Sequence, residues 1–271
     1  MKVSLNGKIM DAGAASVPLG DRGFTLGDGL FETLGVHKGR ILRLKGHIAR
    51  LRASLAAIRL DLPLSDVDLV ARLAEVVAAN SLTEGSLRVT ITRGSGPRGL
   101  LPPLEVIPTV LITASPWAPR PLELSCIIAR STSRNEHSPL SRIKSLAYLD
   151  NILALAEARD RNADDALILN TAGRIACASA ANVFAMIDGE LVTPPLADGL
   201  LPGTVRAEII ASHGGMERAL WAADLSRASE IILSNSLGLR AVTGLDGRPV
   251  GSGAMGPVCR ALLESIPFPG E

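Results

Sequence analysis

The chain has 271 residues, of which 47% are hydrophobic and 20% charged, and its formal net charge is +1. This length and composition are typical of a globular protein with one large domain or two intimate ones. The near-neutral charge and the aromatic content of only 3% give no basis for nucleic-acid or anionic-membrane binding. No stretch approaches the roughly 18 uninterrupted apolar residues of a membrane span.

The first 117 residues predict strands and two helices. Strands are predicted at residues 2–9, 30–36, 41–44, 86–93 and 106–113. Apolar spacing predicts one helix over 47–60. Ser65 is the expected N-cap of a second helix with Val67, Val70, Leu73 and Val77 on one face.

The proline-rich segment SPWAPRP at 115–121 predicts a domain boundary, because it cannot continue a helix or a central strand. We therefore expect a small domain over 1–117, a linker over 118–121 and a large domain over 122–271. Strands of the large domain are predicted at 122–129, 166–169, 182–187 and 229–233, and helices from Lys144 to Ala156 and from Thr204 to His213. Strands and helices that mix without strict βαβ alternation favour an α+β fold.

Three widely spaced cysteines, Cys126, Cys177 and Cys259, form no CxxC pair. Their odd number fits neither a disulfide framework nor a zinc site, and the four histidines also lack ligand spacing, so no metal is expected. The N-terminal residues contain no apolar signal-peptide core. The sequence therefore predicts a cytoplasmic protein.

Single side chains carry weak functional signals. Lys144 and Arg50, each taken alone, are typical solvated surface residues, and Arg98 is typical of a Gly/Pro turn. The segment from Leu201 to Thr204 is either a turn with a helix cap or a phosphate-binding turn. Ser236 lies in a Ser-Asn-Ser turn that is either plain or a second group of phosphate donors. A lysine, an arginine and a helix N-terminus with nearby hydroxyls are, in combination, the parts that hold pyridoxal phosphate.

Eight segments strengthen this combination. They are DRGFTLGDGLFET at 21–33, HIARLRAS at 47–54, TRGSGPRG at 92–99, IKSLAYLDN at 143–151, ADDALILNTAGRI at 163–175, ASAANVF at 178–184, TPPLADGLLPGTVR at 193–206 and SEIILSNSL at 229–237. Their order and wording resemble the fold-type IV pyridoxal-phosphate enzymes, which include D-amino-acid and branched-chain aminotransferases and aminodeoxychorismate lyase. The resemblance implies an α+β, two-domain architecture with a smaller N-terminal α/β domain and a larger C-terminal domain around a β-barrel-like core.

The resemblance also implies a cofactor site for pyridoxal 5'-phosphate. Lys144 matches the Schiff-base lysine, whose free amine then serves as the general acid and base. Arg50 in HxxRL matches the phosphate-binding arginine. The backbone of Gly203, Thr204 and Val205, together with Ser236, matches the rest of the phosphate cradle.

Further positions match residues around the cofactor ring and the substrate. Tyr148 matches a tyrosine near the phenolic oxygen of the cofactor. Phe31 and Arg98 match positions that contact the substrate, and an arginine suits a carboxylate. Members of the family are usually dimers, so a homodimer with a small amino-acid or 2-oxo-acid substrate is expected.

Three positions depart from the family pattern. Cys177 occupies the place of a glutamate that pairs with the pyridine nitrogen, and a neutral thiol cannot supply that charge. Val205 replaces a threonine that often contacts phosphate. Leu100 replaces a polar residue that binds the substrate carboxylate in D-amino-acid aminotransferases.

Three functions remain open from the sequence. The first is a pyridoxal-phosphate-dependent amino-acid aminotransferase, which Glu32 in LFET favours. The second is aminodeoxychorismate lyase, which forms 4-aminobenzoate and pyruvate. The Arg98-Gly99 pair and Cys177 are compatible with it. The third is a non-catalytic homologue that binds the cofactor, against which the presence of Lys144, Arg50 and Ser236 argues.

Overall fold

A computed structural model describes residues 1–270 and contains, in that range, seven α-helices and fifteen β-strands. The helices are α1 (Arg22–Leu26), α2 (Leu44–Ala57), α3 (Asp66–Ala79), α4 (Leu149–Asp160), α5 (Thr204–His213), α6 (Ala222–Leu225) and α7 (Pro257–Ser265). The strands are β1 (Lys2–Leu5), β2 (Lys8–Asp11), β3 (Gly29–His37), β4 (Arg40–Ile41), β5 (Gly85–Thr92), β6 (Thr109–Pro116), β7 (Glu123–Ile128), β8 (Asp165–Leu169), β9 (Ile175–Ala178), β10 (Asn182–Ile187), β11 (Glu190–Thr193), β12 (Met216–Glu217), β13 (Glu230–Asn235), β14 (Gly238–Leu245) and β15 (Arg248–Pro249).

The chain divides into two compact units. The first comprises Met1–Pro119, Ile143–Ala147 and a C-terminal piece that begins at Phe268. The second comprises Arg120–Arg142 and Tyr148–Pro267. The domain limits inferred from the sequence remain a proposal, and that proposal did not include the short segment 143–147 within the first unit.

The first unit is built on a six-stranded antiparallel sheet in the order β2-β1-β6-β5-β3-β4. Helix α2 packs on β3, and α3 packs on β1 and β6. Alternating apolar residues of β5, with Leu87, Val89 and Ile91 inside, meet the apolar faces of both helices. Ser65 caps α3 as predicted, because its hydroxyl accepts a hydrogen bond from the Asp68 N–H at 3.1 Å.

The second unit contains a nine-stranded sheet. Its order is β12-β11-β10-β13-β14-β7-β8-β9, and β15 pairs with β14. The sheet is mixed, since β14–β7, β7–β8 and β11–β12 are parallel and the other pairs are antiparallel. It curls into a half-barrel, which is the form the predicted barrel-like core takes. The predicted α+β class is confirmed.

The prediction that Lys144 opens a helix is wrong. Residues 143–147 form no helix and pair with β3 through an antiparallel bridge between Leu30 and Ser145. The neighbour of β3 on this side, β4, pairs only with Val36 and His37, so the first half of β3 has an open edge. The segment covers that edge, and its backbone groups find partners there that override the helical apolar spacing. Helix α4 begins only at Leu149.

Helix α4 buries another face than the spacing predicted, and α3 differs from its prediction at one position. In α4, Leu149, Ile152 and Leu153 are exposed, and the face toward β8 consists of Asn151, Ala154 and Ala158. Small side chains let this helix approach its sheet closely. In α3, Leu73 is buried and Val70 and Val77 are half-buried against the core, as predicted. Val67 is exposed instead, and Leu69 and Val76 are also buried.

Further elements escaped the sequence prediction. Strand β6 starts at Thr109 rather than 106, and the pattern gave no sign of the short helices α1 and α6 or of α7 near the C-terminus. Within residues 1–270, no helix combines the length and apolarity needed to cross a membrane. The same residues contain no group of three or more His, Cys, Asp or Glu side chains placed to hold a metal ion.

Candidate active site

Lys144 is fixed by backbone hydrogen bonds on both sides. The Lys144 carbonyl accepts from the Phe31 N–H at 2.9 Å, and the Leu146 N–H donates to the Gly29 carbonyl at 3.0 Å. The neighbouring side chains of Ile143 and Ser145 are buried, whereas Lys144 is half-buried. The rigid strand β3 therefore sets the direction of the Lys144 side chain.

The amine of Lys144 lies over an aromatic ring. Its Nζ is 4.3 Å from the centroid of Phe31, a buried residue of β3. The guanidinium of Arg88, on the adjacent strand β5, lies 3.7 Å from the same centroid. Phe31 thus contacts two cations, an arrangement stabilised by the negative face of the ring. The structure brings the predicted residues Lys144 and Phe31 together, whereas the sequence gave no indication of Arg88.

Arg50 is oriented by a buried carboxylate. Its Nε donates to Glu32 Oε1 at 2.8 Å and its Nη2 donates to Glu32 Oε2 at 2.6 Å, which is a two-pronged pair. His47, one turn earlier on α2, lies with Nδ1 2.7 Å from Glu32 Oε2. Only 2% of the Glu32 side chain and 9% of the Arg50 side chain are exposed. Glu32, which the sequence analysis used only as a family signal, holds the predicted phosphate ligand.

The ionisation states of this group follow from burial and charge. Burial opposes ionisation of Glu32, but the hydrogen bonds from Arg50 and His47 outweigh it and lower the pKa of Glu32. Burial dominates at His47 and lowers its pKa despite the nearby carboxylate. At pH 7 we therefore assign a charged Glu32–Arg50 pair and a neutral His47 that donates its Nδ1–H to Glu32.

Helix α5 starts without a side-chain cap in the second unit. Its N-cap is Gly203, which has no side chain to accept a hydrogen bond from the first turn of the helix. A Cβ at Gly203 would come 2.0 Å from Asn182 Oδ1. Asn182 donates from Nδ2 to the Leu201 carbonyl at 2.9 Å and thereby ties the turn to β10. Glycine is therefore required by this close approach.

The remaining positions predicted to bind phosphate lie on α5 or in the turn after β13. Asn182 is opposite Ser234 in the β10–β13 pairing, and Ser236 follows in the turn between β13 and β14. The buried Ser234 hydroxyl has no hydrogen-bond partner within residues 1–270. Val205 is buried and its side chain has no polar atom, so only its backbone N–H can donate to an anion.

Cys177 is a buried, neutral thiol. It lies on β9 opposite Ile168 of β8, in an apolar cluster that includes Ala166 and Leu200. Burial raises the pKa of Cys177 to about 11, although the charge of Arg134 acts in the opposite direction. The thiol therefore carries no negative charge at pH 7, as the sequence comparison with the family pattern implied.

The other two predicted residues are Tyr148 and Arg98. Tyr148 is half-buried and directly precedes α4 as its N-cap residue. Arg98 is exposed in the long loop between β5 and β6. The buried arginines of that region are instead Arg22 and Arg93, which share the carboxylate of Asp28.

The residues present fit pyridoxal phosphate. A helix N-terminus whose N-cap glycine admits no side chain is suited to a phosphate, and an arginine oriented by a carboxylate is suited to the same kind of anion. An amine held by a strand is suited to a carbonyl group. Each of these features lies within its own unit of the fold.

Comparison with known proteins decides the family. Residues 29–245 match the family described as Amino-transferase class IV. The chain belongs to this family. The predicted family, fold and cofactor are thereby confirmed, since class IV aminotransferases depend on pyridoxal phosphate.

Curated relatives match this aminotransferase over nearly its whole length. It is 32% identical to a candidate branched-chain-amino-acid aminotransferase of Methanocaldococcus jannaschii, with 98% of this chain and 95% of the relative covered. It is 30% identical to a D-alanine aminotransferase of Bacillus licheniformis, with 98% and 96% covered.

Solved structures give the same result. The branched-chain amino acid aminotransferase of Escherichia coli superposes with a TM-score of 0.92 at 26% identity, covering 96% of this chain and 91% of the other. A Legionella pneumophila protein named as a candidate 4-amino-4-deoxychorismate lyase superposes with a TM-score of 0.84 at 27% identity, covering 94% and 96%. The aminotransferase fold is thus shared with related lyases.

Proposed function

We propose that this enzyme moves an amino group between an amino acid and a 2-oxo acid by means of Lys144. The observation that carries the proposal is the backbone pairing of residues 143–147 with β3, which holds an amine 4.3 Å from the Phe31 ring centroid. When bound, pyridoxal phosphate supplies an electron sink for the carbon that loses a proton. The Nζ of Lys144 is the group that would accept this proton from the substrate Cα and deliver it to C4′, the cofactor carbon that receives the amino group.

Phosphate binding is assigned to residues that are already ordered. Arg50, oriented by Glu32, provides a charged donor, and the N–H groups at the start of α5 provide neutral donors. Ser236 adds a hydroxyl, and Tyr148 is assigned to the phenolic oxygen of the cofactor. Arg98 is assigned to the substrate carboxylate, and Phe31 forms one wall beside Lys144.

A lyase is the second candidate. The neutral Cys177 leaves the position of the ring-nitrogen partner without charge, which weakens the electron sink that transamination needs. The likeness to the Legionella protein supports the same alternative. The two activities differ in their products, so one assay separates them.

We also propose a cytoplasmic homodimer. Large apolar side chains are exposed on the β5–β6 loop, and others are exposed on α4; they are Leu100, Leu101, Leu104, Ile107, Leu149, Ile152 and Leu153. Exposed apolar surface of this kind favours a partner surface. Three free cysteines, all buried, favour a reducing compartment.

The test uses single amino acids. Cofactor-loaded enzyme is incubated with D-alanine, L-leucine or L-valine, and release of the matching 2-oxo acid is measured. Transamination predicts one equivalent per active site with at least one of them, loss of release in Lys144→Ala, and normal release in the control Lys45→Ala, whose lysine is exposed on α2. Pyruvate from aminodeoxychorismate without any such half-reaction would establish the lyase instead.

A further inference from the structure

Arg22 is a buried arginine to which the sequence pattern gave no role. It follows Asp21, the N-cap of the short helix α1, and only 3% of the residue is exposed. A buried guanidinium requires acceptors for its donors, because an unpaired charge in the interior is costly. The acceptors of Arg22 indicate what the residue does.

Two of these acceptors belong to the chain immediately after Arg98. The Nη1 of Arg22 donates to the Gly99 carbonyl at 3.0 Å, and Nη2 donates to the Leu100 carbonyl at 2.7 Å. The third donor, Nε, bonds Asp28 Oδ2 at 2.8 Å. The planar fork of one arginine therefore holds two successive peptide groups at a fixed distance from Asp28.

Asp28 is itself anchored. Its Oδ2 also accepts from Arg93 Nε at 2.8 Å, and Arg93 donates to the carbonyls of Ile58 and Arg59 at 2.8 and 3.0 Å. Burial opposes ionisation of Asp28, but hydrogen bonds from Arg93 and Arg22 outweigh it and lower its pKa. Arg22 is thus connected to the end of α2 rather than to a mobile surface.

The two ends of the β5–β6 loop are tied as well. Asp21 Oδ2 accepts from the hydroxyls of Thr92 and Thr109, both at 2.8 Å, and these residues are the last of β5 and the first of β6. Within the loop, a Cβ at Gly96 would come 3.1 Å from Arg22 Cδ, so glycine leaves room for the arginine stem. The loop is therefore held at both ends and, through Arg22, just beyond Arg98.

We propose that Arg22 is the positioning residue for Arg98, and that it fixes the exposed guanidinium of Arg98 for recognition of the substrate carboxylate. This inference rests on the proposed role of Arg98. Loss of the fork predicts a weaker ground-state contact with the carboxylate, so KM rises whereas kcat stays close to wild type. Loss of a hydrogen-bonded contact to a charged group weakens binding roughly 10- to 100-fold, and we expect at least the lower figure in KM.

The experiment uses cofactor-loaded enzyme and the amino acid of the panel above with the highest kcat/KM. Arg22→Lys keeps the charge beside Asp28 but lacks the fork, and Arg98→Met removes the proposed carboxylate ligand. The expected results are a raised KM in each variant and no further rise in the double variant. Arg40→Lys, at an exposed arginine of β4, is the matched control.

The outcomes separate the two proposals. An unchanged KM in Arg98→Met would contradict the role of Arg98 in binding the substrate carboxylate. That role is part of the proposed function, so this result would count against the proposed function. A raised KM in Arg98→Met with an unchanged KM in Arg22→Lys overturns the positioning role, as does a double variant whose effects simply multiply. If Arg22→Lys does not fold, Gly96→Ala replaces it, because the added methyl group would crowd the Arg22 side chain. This variant is also expected to raise KM, and an unchanged KM would overturn the positioning role.

Trypsin gives a readout that is independent of activity. Release of the Gly99 and Leu100 carbonyls predicts faster cleavage after Arg98 in Arg22→Lys. Cleavage after Lys38, in the exposed turn between β3 and β4, is expected to stay at the wild-type rate. Equal acceleration at both sites would show a general loss of stability and would overturn the positioning role.

Discussion

The replacement Glu32→Gln tests how Arg50, the proposed phosphate ligand, is held. Glu32 accepts three hydrogen bonds, one from His47 and two from Arg50. Glutamine has nearly the same shape but no charge, and its NH₂ group faces donors where a carboxylate oxygen now accepts. The variant therefore leaves the buried Arg50 charge without its counterion.

The magnitude follows from burial. Removing one partner of a buried ion pair costs about 3–5 kcal/mol, because the remaining charge stays desolvated. Glutamine retains one acceptor oxygen, so we expect a loss of about 2–3 kcal/mol in the free energy of unfolding of the first unit. Cofactor affinity should fall as well, since the direction of the Arg50 fork depends on both Glu32 oxygens.

Trp117 and Trp221 are the two tryptophans of the chain, and they lie in different units. In a Trp221→Phe background, urea unfolding followed by fluorescence reports the first unit through Trp117 alone. The prediction is a lower midpoint at unchanged m-value. Glu75→Gln, at an exposed position on α3, is the control and should stay within about 0.5 kcal/mol. If Glu32→Gln also lost only about 0.5 kcal/mol in the free energy of unfolding, the reasoning would be refuted.

The stability of the first unit should change with pH in a defined direction. The folded-state pKa of Glu32 lies below its ordinary value of 4.5, so its contribution is present above pH 4.5 and is lost as the pH falls through the folded pKa. The pKa of His47 is also lowered from 6.5, so protonation favours the unfolded chain below that pH. Stability of the first unit should therefore decline from pH 6.5 downward, and Glu32→Gln should flatten the profile below pH 4.5.

Three further changes concern the second unit. Cys177→Glu should speed the half-reaction with an amino acid, because a carboxylate there would pair with the ring nitrogen of the cofactor; a rate no faster than that of Cys177→Gln, with normal cofactor binding, would rule this out. Burial raises the pKa of all three cysteines, to about 12 for Cys259. A thiol reagent at pH 8 should therefore label the native enzyme far more slowly than the urea-unfolded chain. Rapid labelling of Cys126 or Cys177 would be inconsistent with their burial. Gly203→Ala should displace Asn182 and weaken cofactor binding roughly tenfold, the loss expected from one hydrogen bond, and unchanged affinity would contradict the close approach described for this turn.

Local signals predicted those elements whose ends are marked in the sequence. Ser65 capped α3, and the turn at Gly203 started α5, because caps act within three or four residues. The prediction of a helix at Lys144 was wrong because the pairing of this segment depends on the open edge of β3. That edge lies more than a hundred residues earlier in the chain. The exposed leucines of α4 misled the prediction of its buried face, since an apolar stripe has the same spacing whether it faces a sheet or solvent.

In the candidate site, too, short motifs predict single residues, whereas contacts between distant parts of the chain are visible only in the structure. The family motifs predict Lys144 and Arg50 as site residues, and the structure adds Glu32 and His47 as the groups that orient Arg50. The Arg22–Asp28–Arg93 network joins parts of the chain that no short spacing connects. Such networks form only when strands and loops are in place, so a single sequence gives no sign of them.

Lys144 is the residue on which the proposed function rests, and chemical trapping tests that assignment most directly. The chain has only five lysines, so the cofactor-loaded enzyme can be reduced with borohydride, digested with trypsin and mapped by mass spectrometry. The expected result is one phosphopyridoxyl group on the peptide that spans Lys144, with cleavage after Lys144 blocked. A label on any other lysine, or none in an enzyme that contains the cofactor, would contradict the assignment.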